Sequence, residues 1–141
     1  MTPNLFLIAG AVLSAIAALL HIGVIFGGAS WYRFFGGGER MGASAEAGHL
    51  YPVAVTLVIA GMLGVWAAYA LAGAGVLQPL PLQALVLPAI TAVYLLRGLV
   101  AVAMWLFDRR RLSAFWVWSS LVCFVYGVVH LIGLVQVWDT L

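Results

Sequence analysis

The chain has 141 residues, enough for one small domain. Hydrophobic residues make up 66% of it, charged residues 7%, and the mean hydropathy is +1.17. A soluble domain carries roughly 25% charged residues, so a chain this poor in charge cannot cover a water-facing surface, and its main solvent is expected to be lipid.

A helix needs about 20 apolar residues to cross a bilayer core. Four stretches qualify: about Leu5 to Phe26, Tyr51 to Leu71, Leu82 to Phe107 and Phe115 to Trp138. Open strands cannot span lipid with unpaired edges, and the segments are too long and too evenly apolar for barrel strands. The expected fold is all-α: a single transmembrane domain over residues 1–141, an up-down-up-down four-helix bundle with a long loop between helices 1 and 2. Gly27 to Ala29 would pass as a signal-peptide cleavage site, but no Lys or Arg precedes it and the apolar run exceeds a usual h-region. The first segment is therefore read as a span.

In span 1, Gly10, Ser14, Ala17, Ala18, His21 and Gly28 share one face at helical spacing. Gly23 and Gly27 form a GxxxG pair, which marks either a dimer contact or an intramolecular one. The loop that follows, Gly27 to Leu50, is long for a helix connection. Its Trp31 to Phe35 run suits the headgroup level, Gly36 to Gly38 reads as a hinge, and Glu39 to Ala47 reads as a short surface helix. The glycine triplet lacks the strand–loop–helix context and the Lys-Ser/Thr of a phosphate loop. Pro52 suits the first turn of span 2, which aligns His49, Thr56, Ala60, Leu63 and Ala67. Gln78 to Pro81 is a stiff turn. Span 4 aligns Ser119, Cys123, Tyr126, His130 and Leu134, with Gly127 and Gly133 alongside. Small and polar stripes in membrane helices face other helices, so three such stripes predict one tight bundle, with Ser14, Thr56, Thr91 and Ser119 as packing groups.

Span 3 holds a single formal charge, Arg97. A charge within a span costs at least ~2.5 kcal/mol even on the translocon scale and marks function by default. It lies roughly 13 Å from the inner end of its span by helix rise. No span offers a carboxylate beside it. Its partner must be Glu39 or Glu46 from the loop, helix-end carbonyls, Asp108 by snorkelling, or an anionic ligand or lipid phosphate. His21, His49, Thr56 and Tyr94 are expected near the same depth as a ligand-binding cluster with Arg97 and Glu39. His130, Tyr126 and Ser14 form a second polar patch nearer the other side.

The arginines sit at 33, 40 and 109–111 in the first and third loops, and no charge sits between Gly73 and Pro81. The positive-inside rule then turns those two loops to the cytoplasm and both termini outward. The Ala, Gly and Arg bias without Lys suggests a GC-rich bacterial genome, hence a bacterial inner membrane.

Six basic against four acidic residues, net +2, fall far short of a nucleic-acid surface. The single Cys123 excludes an intramolecular disulfide, a CxxC pair and a multi-Cys zinc site. No metal and no cofactor is expected. Haem between His21 and His130 is disfavoured because the two lie more than about 10 Å apart in depth by helix rise. The favoured function is a non-enzymatic binding or accessory protein that holds a lipid or an amphipathic anion near Arg97. The alternatives are a lipid or isoprenoid enzyme, for which no HExxH, GxSxG or paired-carboxylate signature exists, and a dimeric small transporter, which would lack the usual intramembrane carboxylate. Membrane lipids are the expected partners, with a second copy or another membrane protein as a further partner. In length and helix count the chain resembles small four-helix membrane families such as the DoxX-like proteins, a likeness of architecture that implies no site residue.

Overall fold

The computed structural model describes residues 2–141. Among the described residues there is helix and turn but no strand. The helices are α1 (Leu5–Gly27), α2 (Ala29–Phe34), α3 (Gly38–Glu46), α4 (Tyr51–Gly73), α5 (Gln83–Gly98), α6 (Val100–Phe107) and α7 (Ala114–Val137). Four segments are long and apolar enough to cross a membrane: Leu5–Gly27, Tyr51–Gly73, Gln83–Phe107 and Ala114–Thr140. They support a multi-pass membrane protein. So does the outward apolar surface: Leu19, Val58, Leu96 and Val135 are exposed, an arrangement that water penalises and acyl chains accept.

The loop after the first span is more structured than the sequence suggested, since Trp31 to Phe34 lies within α2. The third span is not one continuous helix. Its ladder breaks at Leu99 between α5 and α6. No proline sits at the break. Instead a hydroxyl from α7 enters it: the Ala101 amide donates to Ser120 Oγ at 3.2 Å, and a side chain inserted into the i→i−4 ladder is a recognised cause of a kink.

The chain divides into two compact units, one made of the residues up to Ser14 together with Trp66–Leu141, the other of Ala15–Val65. In the first unit α5 packs along α7 through glycines that let the backbones meet. A Cβ on Gly98 would lie 2.6 Å from Phe124 Cα, and one on Gly127 would lie 2.9 Å from the Leu95 amide nitrogen. Asn4 organises one end of this unit. Its Oδ1 accepts from the Leu7 amide at 2.9 Å, capping α1. Its own amide donates to the Ala74 carbonyl at 3.0 Å, and its Nδ2 donates to Gln136 Oε1 at 2.8 Å. Beneath these bonds Leu7 and Leu87 are fully buried.

In the second unit α2 and α3 form a helical hairpin. Gly36 (φ 89°) and Gly38 (φ 70°) adopt the left-handed backbone that turns the chain between them. The GxxxG pair is filled from within the chain. The Trp31 indole lies directly on Gly27, where any Cβ would collide with it, and a Cβ on Gly23 would be 3.6 Å from Trp31 Cζ3.

Candidate functional site

Arg97 sits on the last turn of α5, beside the break. Its Nη2 donates to Ser119 Oγ at 3.0 Å and its Nη1 to Ser120 Oγ at 3.2 Å. The guanidinium carbon stands 4.9 Å from the centroid of the Trp116 ring, within cation–π range. All three partners come from the first turns of α7. Gly98 makes this reach feasible, because its missing side chain brings α5 onto α7 one residue further along. Ser119 to Ala114 is five residues, so the charge lies roughly 8 Å inside the α7 terminus by helix rise.

None of these partners is anionic. The chain has four acidic residues, and three of them are engaged elsewhere. Arg33 holds both Glu39 and Glu46, through Nε–Oε2 and Nη2–Oε1 of Glu39 at 2.9 Å each and through Nη1–Oε1 and Nη2–Oε2 of Glu46 at 2.9 and 2.8 Å. Asp108 pairs with Arg111 at 3.0 Å. The fourth, Asp139, follows the far end of α7, roughly 30 Å along the helix from Ser119 by rise. Arg97 therefore has no carboxylate partner among the described residues, and its N–H donors other than the two used have no protein acceptor. An arginine so placed can hold an anion bidentately.

Interfacial groups surround this end of the unit. The Arg109 guanidinium lies 4.3 Å over the Trp105 ring while its Nε donates to the Trp105 carbonyl at 3.0 Å. Trp118 is exposed on α7. Tryptophan and arginine together favour the headgroup level.

Tyr94, expected in the Arg97 cluster, joins the second polar patch instead. Its hydroxyl is 2.8 Å from Ser14 Oγ, and its ring packs on Trp66 (5.0 Å between centroids), Tyr126 (5.5 Å) and His130 (5.1 Å). The patch of His130, Tyr126 and Ser14 is thus one assembly with Tyr94 at its centre. His130 is fully buried; Nδ1 donates to the Tyr126 carbonyl at 2.8 Å, and Nε2 has no partner.

The other expected site residues belong to the second unit. His21 Nδ1 donates to the Ala17 carbonyl of its own helix at 2.7 Å. Thr56 Oγ1 donates to the Pro52 carbonyl at 2.7 Å, with the Tyr32 hydroxyl 3.4 Å away. His49 lines a cleft beside α3. Glu39 belongs to the Arg33 clamp. Hydrogen bonds from Arg33 hold the Glu46 carboxyl below the usual carboxylate range, and Glu46 first, then Glu39, holds the Arg33 guanidinium above its ordinary value.

Sequence reasoning missed Ser120, Trp116, Gly98 and the clamping role of Arg33. The adjacent Ser119-Ser120 pair, one turn past Trp116 at the start of a span, was the available signal for the first two. Metal-ligating side chains do not gather in groups of three among the described residues. No family model, curated protein or solved structure matches the chain.

Proposed function

We propose that this chain is a non-enzymatic binding protein of the bacterial inner membrane that holds an anionic amphiphile, most simply an anionic lipid headgroup, at Arg97. The observation that carries the reading is the missing counter-charge. Arg97 lies within an apolar segment and is oriented by Ser119, Ser120 and Trp116, yet three of the four carboxylates are held by Arg33 and Arg111. A charge kept in lipid without a counter-ion is costly, and a phosphate or carboxylate from a ligand would offset that cost. The serines and the indole fix the guanidinium in place, so a ligand would find it preorganised.

The reading includes a four-helix bundle of up-down-up-down topology with cytoplasmic first and third loops. Its support is the Asn4 network, which joins the start of α1 to the end of α4 and the end of α7, as an alternating topology requires. The charge asymmetry of the loops supports the orientation. The residues of the second unit, His21, His49, Thr56 and Glu39, are not needed for the Arg97 site.

The test is thermal unfolding of the detergent-solubilised protein with phosphatidylglycerol, phosphatidylcholine or dodecyl phosphate added. A ligand at about a hundredfold its Kd stabilises by ~2.7 kcal/mol, which reads as a shift of several degrees. Phosphatidylglycerol and dodecyl phosphate should raise the Tm of the wild type by more than that of Arg97→Gln, while phosphatidylcholine does little in either. Equal stabilisation of wild type and Arg97→Gln by every anion would overturn the proposal.

A further inference from the structure

We propose a second anion site, independent of Arg97: a phosphate-binding cleft on the second unit built from Arg40, Ser44 and His49. The cleft measures about 720 Å³ and is lined by Arg40, Met41, Ser44, His49, Leu50 and Tyr51, with the glycine turn at its edge. Its placement follows from how α3 distributes its charges. Glu39, Gly42 and Glu46 recur at three and four residues and share one face of the helix. That face is closed by Arg33, whose stem lies where a Cβ of Gly42 would be, 2.6 Å from Cγ, and whose guanidinium binds both carboxylates. Both acids of α3 are thereby turned away from the cleft.

The opposite face carries Arg40 and Ser44, one turn apart, and the chain then leaves α3 and returns His49 and Tyr51 to the same cleft. The His49 backbone is fixed by its amide, which donates to the Ser44 carbonyl at 3.1 Å. The four polar side chains Arg40, Ser44, His49 and Tyr51 make no hydrogen bond to protein among the described residues. They offer a guanidinium, two hydroxyls and an imidazole, all able to donate, and no carboxylate competes. That donor set suits the oxygens of a phosphate. Met41 and Leu50 line the same cleft and suit the first carbons of an attached chain, so the phosphate of a lipid headgroup and a free phosphate present the same chemistry to the polar half.

The experiment uses the full chain in maltoside micelles in the Arg97→Gln background, so that the first site does not contribute. Short-chain phosphatidylglycerol and inorganic phosphate are titrated separately by calorimetry. A charge-assisted hydrogen bond is worth about 1.5–3 kcal/mol, which is at least a tenfold change in Kd. Saturable binding of either titrant is expected, weakened at least tenfold by Arg40→Gln. Binding of phosphatidylglycerol alone assigns the site to a headgroup, and binding of both assigns it to phosphate itself. Arg40 is exposed and makes no hydrogen bond or ion pair among the described residues, so Arg40→Gln leaves the fold intact. Ser44→Val, which narrows the cleft without touching a charge, is a second variant expected to weaken binding. Absence of saturable binding, or a Kd unchanged by both substitutions, would overturn the proposal.

Discussion

The imidazole of His130 occupies the space that a side chain at Gly10 would need: a Cβ there would fall 2.8 Å from His130 Cε1 and 3.0 Å from each ring nitrogen. The ring cannot yield, because it is fully buried, bonded to the Tyr126 carbonyl and packed on Tyr94. Gly10→Ala should therefore destabilise the protein by about 1–3 kcal/mol, the usual cost of overpacking, despite the better helix propensity of alanine. His130→Ala removes the obstacle and leaves a cavity of its own. The double variant should lose less than the sum of the two single losses, with a coupling above ~0.5 kcal/mol. Denaturant titration of the four proteins in one detergent measures the cycle, and strict additivity would contradict the contact.

Glycines in the spans should divide sharply by what surrounds them. Gly98 lies against the backbone of Phe124, which can move only if α7 moves, whereas Gly61 and Gly64 on α4 have nothing within 4 Å of a Cβ. Gly98→Ala should lower the Tm by several degrees and loosen the seat of Arg97. Gly61→Ala and Gly64→Ala should leave it unchanged or raise it slightly. Comparable losses at all three positions would mean that helix flexibility, not close approach, sets the need for glycine.

The four long apolar segments were legible because hydropathy over about 20 residues is a property of one segment and needs no knowledge of its neighbours. Arg97 was legible for the same local reason. Its partners were not. Ser119 and Ser120 lie on another helix, and pairing across helices depends on the crossing that Gly98 and Phe124 define, which no spacing along α5 encodes. The break at Leu99 carries no proline because its cause, the Ser120 hydroxyl, is also non-local. Depth places Tyr94 with Arg97, yet its side chain reaches Ser14 and His130; depth along a helix does not determine the direction of a long side chain. Depth alone leaves Glu39 open as a partner of Arg97, but Arg33, six residues away in sequence, takes it.

The Arg33 clamp makes the α2–α3 hairpin acid-sensitive. The Glu46 carboxyl titrates below its ordinary value of 4.5 in the folded hairpin because Arg33 bonds its charged form. A depressed folded-state pKa gives stability that is present above the unfolded value and lost as pH falls through the folded one. The hairpin should thus be fully fastened at pH 6 and loosen as the pH falls through the acid range below 4.5. Fluorotryptophan incorporation gives a local probe, because Trp31 on α2 rests on Gly27, and Trp31→Phe assigns its fluorine signal. That signal should move on acidification in the wild type and already lie at the acid position in Arg33→Gln at neutral pH. A signal constant with pH would rule out the clamp as the hairpin's fastening.

Tyr94 contributes through its ring more than through its hydroxyl. The hydroxyl bonds a fully buried Ser14 at 2.8 Å, but hydrogen bonds between membrane helices average only ~0.6 kcal/mol because freed groups find other partners. Ser14 has one at hand, since a serine on a helix can turn back to the carbonyl four residues earlier, here that of Gly10. The ring, by contrast, touches Trp66, Tyr126 and His130, and nothing else can fill its place. Tyr94→Phe should cost under about 1 kcal/mol and Tyr94→Ala about 3–5 kcal/mol. Combining Tyr94→Phe with Ser14→Ala should add little to Tyr94→Phe alone, because the pair's only shared bond is already gone. If unfolding in detergent instead shows Tyr94→Phe losing as much as Tyr94→Ala, the hydroxyl pair, and not the aromatic cluster, holds these helices together.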